Sequence, residues 1–303
     1  MTFSIEISQL KKNFGKQSVI DIADLRIAQA SIHAVVGPNS AGKTTLLKIL
    51  GSVISPTTGT VRYFGEQVRN PAELRQCVRY VGPEINLYPL FKVKDILRYA
   101  NLLYEEWDQE RCKILTKAFA IPRDIVIRKL SLGMKMRLQI ILALSSKPTV
   151  LLMDEATNGL DPATKEMVLD LVLREVANRE ITVVMATHQF EDVERVADTI
   201  SLLIDGKVRE TANLDDLKEQ VYEVSAIFGD ERYSDLRPVT GVHKFDKNGK
   251  TVRFVCIGDR ADIANKFSQM GAGSIDVRPG SLQLWFRAML EKEGVTNEKI
   301  VLS

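Results

Sequence analysis

The eight residues Gly37-Pro38-Asn39-Ser40-Ala41-Gly42-Lys43-Thr44 constrain this chain more than any other stretch. They match G-x-x-x-x-G-K-[ST] and stand between a short apolar run, SIHAVV at 31–36, and a segment of helical spacing, TLLKILGSV at 45–53. A strand, a glycine-rich turn and a helix in that order aim the turn's backbone N–H groups and the helix N-terminus at one point. That point suits a triphosphate, with Lys43 reaching its terminal phosphates and Thr44 offering a hydroxyl to Mg²⁺. The competing explanation is a glycine-rich turn with an incidental lysine. All four fixed positions and both flanks disfavour it.

The strand pattern returns at TVLLM (149–153) and ITVVMA (181–186), with the helical stretch KEMVLDLVLREVANRE (165–180) between them. Strand and helix alternation predicts an α/β core with a mostly parallel sheet. From about Arg98 to Arg128 helical patterns occur without a strand, which predicts a helical subdomain over about 85–145. After Gly206 the pattern changes. VYEVSAIFG, a hairpin GVHKFDKNGKTVRFVCIG turning at Asn248-Gly249, a helix around ADIANKFSQMG, then SIDVR and SLQLWFRAML predict a small α+β domain. The boundary is expected near Asp215, giving domains 1–215 and 216–303, as the 303-residue length allows.

A phosphate loop needs a carboxylate at a neighbouring strand end to complete a metal site, and VLLMDEAT supplies Asp154. Asp154 would hold Mg²⁺ through its hydration shell, while Glu155 would orient or polarise the water attacking the γ-phosphate. Two acids capping the next helix are the alternative reading, and the upstream phosphate loop weakens it.

Composition excludes several other classes. With 45% hydrophobic and 26% charged residues the chain reads as globular, and a net charge of +2 with scattered Lys and Arg argues against a nucleic-acid partner. Cys77, Cys112 and Cys256 are odd in number and lack metal-ligand spacing, so a reducing, cytosolic compartment is expected. The first residues, MTFSIEISQLKKNFGK, alternate like a strand rather than a signal peptide. Runs such as IILAL fall short of the ~20 residues that cross a bilayer.

Together these residues resemble the nucleotide-binding subunits of ATP-binding cassette (ABC) transporters, a P-loop NTPase family, over roughly residues 3–210. The resemblance rests on an ordered series: the loop 37–44, LSLGM at 130–134, VLLMDE at 150–155, NGLD at 158–161 and the histidine of ATHQ at 186–189. It implies that ATP is bound through Gly37 to Thr44 and the adjacent Thr45, and that Phe14 in KKNFGK stacks on adenine. A core role for Phe14 is the alternative. It also implies that His188 contacts the γ-phosphate and that Asp161 lies at a subunit interface, although Asp161 also reads as a helix cap before Pro162.

LSLGM replaces the family's usual LSGGQ, the signature that binds the γ-phosphate of ATP held by the opposite subunit. Ser131 and the backbone at Gly133 keep the chemistry of a helix N-terminus, and Ser131 is also an ordinary N-cap. Leu132 replaces a glycine, so its side chain must point away from phosphate. The slot where the family usually carries a Mg²⁺-contacting glutamine falls on Pro83, which has no side-chain donor or acceptor. Glu84 next door is the expected substitute.

The resemblance implies an ATPase subunit paired as a homodimer or with another ABC subunit. It would act with a separate transmembrane permease chain on the cytoplasmic face of the membrane, through a groove around 84–97. LSLGM and the ending DVRPGSLQLWF are most similar to subunits of ABC-2-type exporters. Two other readings remain open. A soluble ABC ATPase acting on DNA or ribosomes is disfavoured by one set of motifs and by only 86 residues, without sustained heptads, between Thr44 and Ser131. An inactive ATP-binding regulator is suggested by Pro83 and Leu132, and disfavoured by Lys43, Asp154, Glu155 and His188.

Overall fold

The computed structural model describes residues 2–67, 70–83, 87–228, 242–248 and 250–295. The chain divides into two compact units, Met1–Thr211 and Ala212–Ser303.

In the first unit β1 (Phe3–Phe14), β2 (Gln17–Ala28), β4 (Thr58–Tyr63) and β5 (Glu66–Gln67) form one antiparallel sheet in the order β2-β1-β4-β5. Strict alternation in FSIEI turns Ile5 and Ile7 inward, and both are fully buried. A second sheet has the order β10-β9-β3-β8-β7-β6. Its members are β3 (Ile32–Val36), β6 (Val78–Val81), β7 (Val150–Asp154), β8 (Thr182–Ala186), β9 (Thr199–Ile204) and β10 (Lys207–Asn213). Pairings β3/β8, β3/β9, β7/β8 and β6/β7 are all parallel. Strands β3, β7 and β8 are buried at every residue, as expected of a parallel sheet covered on both faces.

Helix α1 (Lys43–Leu50) lies in the core between the two sheets, its Leu46, Leu47 and Leu50 clustering with Ile7, Ile20, Val35, Leu152 and Val184. Around the second sheet run α2 (Pro71–Cys77), α6 (Pro162–Arg179) and α7 (Phe190–Val196). Between β6 and β7 the chain is helical, with α3 (Val93–Leu103), α4 (Gln109–Ala118) and α5 (Leu132–Ser145). The ion pairs Arg111–Glu175 and Arg179–Asp108 (3.5 Å) join α4 and its cap to α6. Among the described residues no helix is long and apolar enough to cross a membrane.

The second unit contains α8 (Leu214–Gln220), β11 (Val221–Phe228), β12 (Val242–Asn248), β13 (Thr251–Ile257), α9 (Arg260–Gln269), β14 (Ala272–Pro279) and α10 (Leu282–Lys292). Its strands form an antiparallel sheet in the order β12-β13-β11-β14. The expected hairpin forms, closing at Asn248 against Thr251, while Gly249 lies outside the described residues. Phe254 meets Phe267 of α9 edge-on at 5.1 Å, and Trp285 of α10 is buried. All three cysteines are unpaired.

A histidine with two hydroxyl partners sits in the middle of the parallel sheet. His33 of β3 is fully buried, its Nδ1 2.8 Å from the Thr199 hydroxyl and its Nε2 3.0 Å from that of Ser201. Burial disfavours the imidazolium and lowers its pKa from 6.5 to about 4. Between those values the unfolded chain takes up a proton that the folded chain refuses. The resulting contribution, about 3 kcal/mol, is therefore complete above pH 6.5 and is lost as pH falls toward 4. Urea midpoints should drop between about pH 7 and about pH 5, and His33→Gln should flatten that drop; an identical slope in the variant would exclude His33 as its source.

Candidate active site

Parallel pairing decides which residues meet. The register sets Val35 beside Ala186 and Asp154 beside Ala186, so β3, β7 and β8 end along one edge of the sheet. The phosphate loop leaves β3 there, Asp154 closes β7 there with Glu155 next, and Thr187-His188 follow β8. This is the crevice at the carboxyl ends of parallel strands where open α/β sheets place ligands, with β3 paired on both sides.

The loop itself is tightly built. Gly37 and Ala41 are buried, Pro38 is half-buried, and Asn39 and Ser40 are exposed. Ser40 and Gly42 adopt left-handed backbone, at φ 65° and 103°. A Cβ on Gly42 would lie 2.8 Å from both Ile20 Cδ1 and the Val19 carbonyl oxygen, so β2 presses directly on the loop. Lys43 Nζ donates to the carbonyls of Gly37 (2.7 Å) and Pro38 (3.1 Å), and the residue is buried. Burial lowers its pKa, against the opposing pull of Glu155 and Asp154. The ammonium is thus held over the loop, using protein carbonyls where a phosphate oxygen can compete. Thr45 is half-buried on α1.

Asp154 is 1% exposed. Thr44 Oγ1 donates to its Oδ1 at 3.2 Å, and the Tyr80 hydroxyl donates to its Oδ2 at 2.7 Å. Burial raises its pKa, while the hydrogen bonds from Tyr80 and Thr44 pull the other way. A desolvated carboxylate beside a threonine hydroxyl fits a divalent cation. Among the described residues no cluster of three or more His, Cys, Asp and Glu could hold one alone. Mg²⁺ is usually held by one or two carboxylates plus substrate phosphates, which agrees with this sparse set.

Glu155 sits in left-handed backbone at φ 49°, a strained state for a side-chain-bearing residue, and its N–H donates to the Ala186 carbonyl at 2.8 Å. Its Oε1 lies 3.0 Å from Nδ1 of His188, and its Oε2 accepts from Asn158 Nδ2 at 2.9 Å. His188 is exposed, so its ring contacts Glu155 at the rim of the site. Gln189 bonds in turn to Asn158 and to Lys165, and Lys165 pairs with the buried Asp192.

The remaining residues expected at the site lie on other segments, where they make local contacts. Ser131 caps α5 by accepting from Met134 N–H at 3.2 Å, and Leu132 points to solvent, 60% exposed. A Cβ on Gly133 would lie 2.9 Å from the Gly159 carbonyl oxygen, so LSLGM and NGLD touch within one chain. Asp161 caps α6, accepting from Thr164 N–H at 3.0 Å and Thr164 Oγ1 at 2.7 Å; these bonds lower its pKa. Phe14 lies outside the core, 52% exposed at the tip of the β1–β2 hairpin, with Lys12 Nζ 5.0 Å from its ring centre. Pro83 is an exposed turn residue, and Glu84 lies outside the described residues. Tyr80 and Gln139, whose Oε1 accepts from Gly82 N–H at 3.0 Å, escaped sequence reasoning, and Asn158 entered it only as part of NGLD, without its bond to Glu155. A tyrosine in VRYV reads simply as a strand former, and a lone glutamine in a helix carries no motif.

The family described as "ABC transporter" matches residues 20–158. The bacitracin transport ATP-binding protein BcrA of Bacillus licheniformis is 32% identical over 234 residues, covering 73% of each chain. This chain belongs to the ATP-binding proteins of ABC transporters. A second relative of this ABC protein, the Nod factor export ATP-binding protein I of Paraburkholderia xenovorans, is 29% identical and covers 96% of this chain and 98% of its own. The names of these relatives describe ATP-binding proteins of transport systems. A solved dimeric ATP-binding cassette in a post-hydrolysis state with ADP and Pi shares the fold. It has a TM-score of 0.63 and 23% identity, covering 69% of this chain and 98% of that one.

Because Gly42 combines a left-handed backbone with contact to Val19 and Ile20, Gly42→Ala in this ABC protein should lower nucleotide affinity at least tenfold and cost on the order of 1 kcal/mol of stability or more. Titration with a fluorescent ATP analogue and thermal melting would show both; undiminished affinity would mean that the loop's path is not set by glycine.

Proposed function

We propose that the chain is the ATP-hydrolysing subunit of a membrane exporter, one of two cassettes that enclose two ATP molecules and drive a separate transmembrane chain. The observation that carries this reading is the convergence of Lys43, Thr44, Asp154, Glu155 and His188 on one sheet edge, with Thr44 bonded to Asp154 and Glu155 bonded to His188. Lys43 and the N–H groups of the loop bind the β- and γ-phosphates. Thr44 and Asp154 hold Mg²⁺, which when bound neutralises charge on the phosphates. Glu84, outside the described residues, is the proposed further contact. Glu155 accepts a hydrogen bond, then the proton, from the attacking water as its oxygen bonds to the γ-phosphorus and the β–γ bridging bond breaks, leaving ADP and phosphate. His188 holds Glu155 in place and meets the γ-phosphate, and Phe14 is free to stack on adenine.

The partner cassette supplies Ser131 and Gly133 to the opposite γ-phosphate, with Asp161 at the interface. Leu132, directed to solvent in one chain, leaves that helix end open. The transmembrane chain docks beside α3, where Tyr88, Leu90 and Phe91 are exposed and Tyr88 stacks on Phe91 at 5.1 Å. On this reading the cassette occupies about 1–215 with its helical subdomain over 85–145, residues 216–303 form an accessory domain, and the complex sits at the cytoplasmic membrane face. Export is supported by the Nod factor relative, which aligns across both units.

Glu155→Gln keeps the bond to His188 but removes the base. Turnover should fall at least a hundredfold while ATP binding persists and dimers accumulate in gel filtration; unchanged hydrolysis would remove Glu155 from the mechanism. In a dimer carrying one Ser131→Ala chain, the defect should appear at the site whose phosphate loop belongs to the other chain. A defect confined to the altered chain's own loop would refute the sandwich.

A further inference from the structure

The two hydroxyls on Asp154 are not equivalent. Thr44 offers the longer bond, 3.2 Å, and its hydroxyl is also the group the phosphate-loop motif gives to Mg²⁺. Tyr80 offers the shorter bond, 2.7 Å, and has no part in the motif. Tyr80 pairs with Leu152 in the β6–β7 register, two residues before Asp154, a distance of about 7 Å along a strand. Only a long side chain ending in a donor bridges that gap.

The space for this bond is also fixed. Gly82 lies two residues after Tyr80 on the same face, and a Cβ there would fall 2.9 Å from the Tyr80 hydroxyl and 3.1 Å from Asp154 Cβ. The Gly82 N–H is held by the Gln139 side-chain oxygen at 3.0 Å. Gln139 is buried on α5 among Leu138, Ile140 and Ile141, a place where an amide is costly unless it is bonded. Helix α5 runs unbroken from its Ser131 cap to Gln139, about 12 Å along the axis. Pro83, where a glutamine was expected, has no polar side chain, yet the Gln139 amide of another element reaches the residue beside it.

We propose that Tyr80 and Gln139 are positioning residues for the metal carboxylate: Tyr80 sets the orientation of Asp154, and Gln139 holds Gly82 so that Tyr80 can reach it. The two bonds, joined through the backbone of residues 80–82, connect the middle of α5, the helix capped by Ser131, to the metal site of its own chain. This inference rests on Asp154 being the Mg²⁺ carboxylate.

The test measures ATP-analogue affinity of the full chain in EDTA and in excess Mg²⁺, together with Mn²⁺ binding to the nucleotide complex by electron paramagnetic resonance. Tyr80→Phe should leave affinity in EDTA within about twofold of the parent and reduce the gain from Mg²⁺, and Mn²⁺ affinity, about tenfold, the usual loss for an outer-shell partner. Gln139→Leu should shift the metal dependence in the same direction, and Gln139→Glu, which keeps an acceptor for the Gly82 N–H, should restore it. A Tyr80→Phe protein with lowered melting temperature but the parent's Mg²⁺ gain would overturn the proposal. Tyr80→Phe removes a single oxygen, so it decides the question even where Gln139→Leu fails to fold. Asp154→Asn separates the two levels. If it abolishes the Mg²⁺ gain while Tyr80→Phe is silent, only the positioning role fails; if the gain survives, the metal-carboxylate reading and the inference built on it fall together.

Discussion

The parallel pairing of β3, β7 and β8 is the constraint on which the rest of this protein depends. Because the three strands run the same way in fixed register, their carboxyl ends form a single edge, and three loops far apart in sequence open onto it. A slip of one residue in β7 would turn Asp154 to the opposite face of the sheet. Close packing of these fully buried strands opposes such a slip, and the hydrogen bonds of His33 to Thr199 and Ser201 oppose one in β3, so the core sets the chemistry as well as the stability.

Charge at that edge is balanced at short range. Lys43 and Asp154 are both withdrawn from water, each pushed by burial toward its neutral form. Hydrogen bonds counter this: carbonyls of the loop receive the ammonium, and two hydroxyls support the carboxylate. A phosphate and a divalent cation are the species that would relieve both groups at once, which gives the site its preference without a preformed cage of ligands.

Much of this was legible in the sequence because it depends on local pattern. The turn 37–44 declares itself by glycine spacing, and SIHAVV, TVLLM and ITVVMA declare their strands by continuous apolar runs. The hairpin ending at Asn248 followed from turn chemistry. Two kinds of information were not local. Phe14 could be assigned to solvent or core only once the β1–β2 hairpin was seen to project it outward. Tyr80 and Gln139 gain meaning only from the β6–β7 register and from the approach of α5 to Gly82, contacts spanning 74 and 57 residues of sequence. A motif read along the chain has no means of recording them.

The contact between Gly133 and the Gly159 carbonyl limits what genetics can say about this protein. A residue that faces a partner's nucleotide is ordinarily diagnosed by substituting it and observing the loss. Here any side chain at 133 first collides with the backbone of its own subunit, so a phenotype at that position reports intrachain packing before it reports anything across an interface. Ser131 is half free of this ambiguity, since its hydroxyl contributes one capping bond whose loss costs on the order of 1 kcal/mol. Two positions of one short segment therefore differ in diagnostic value, and the glycine is the less informative.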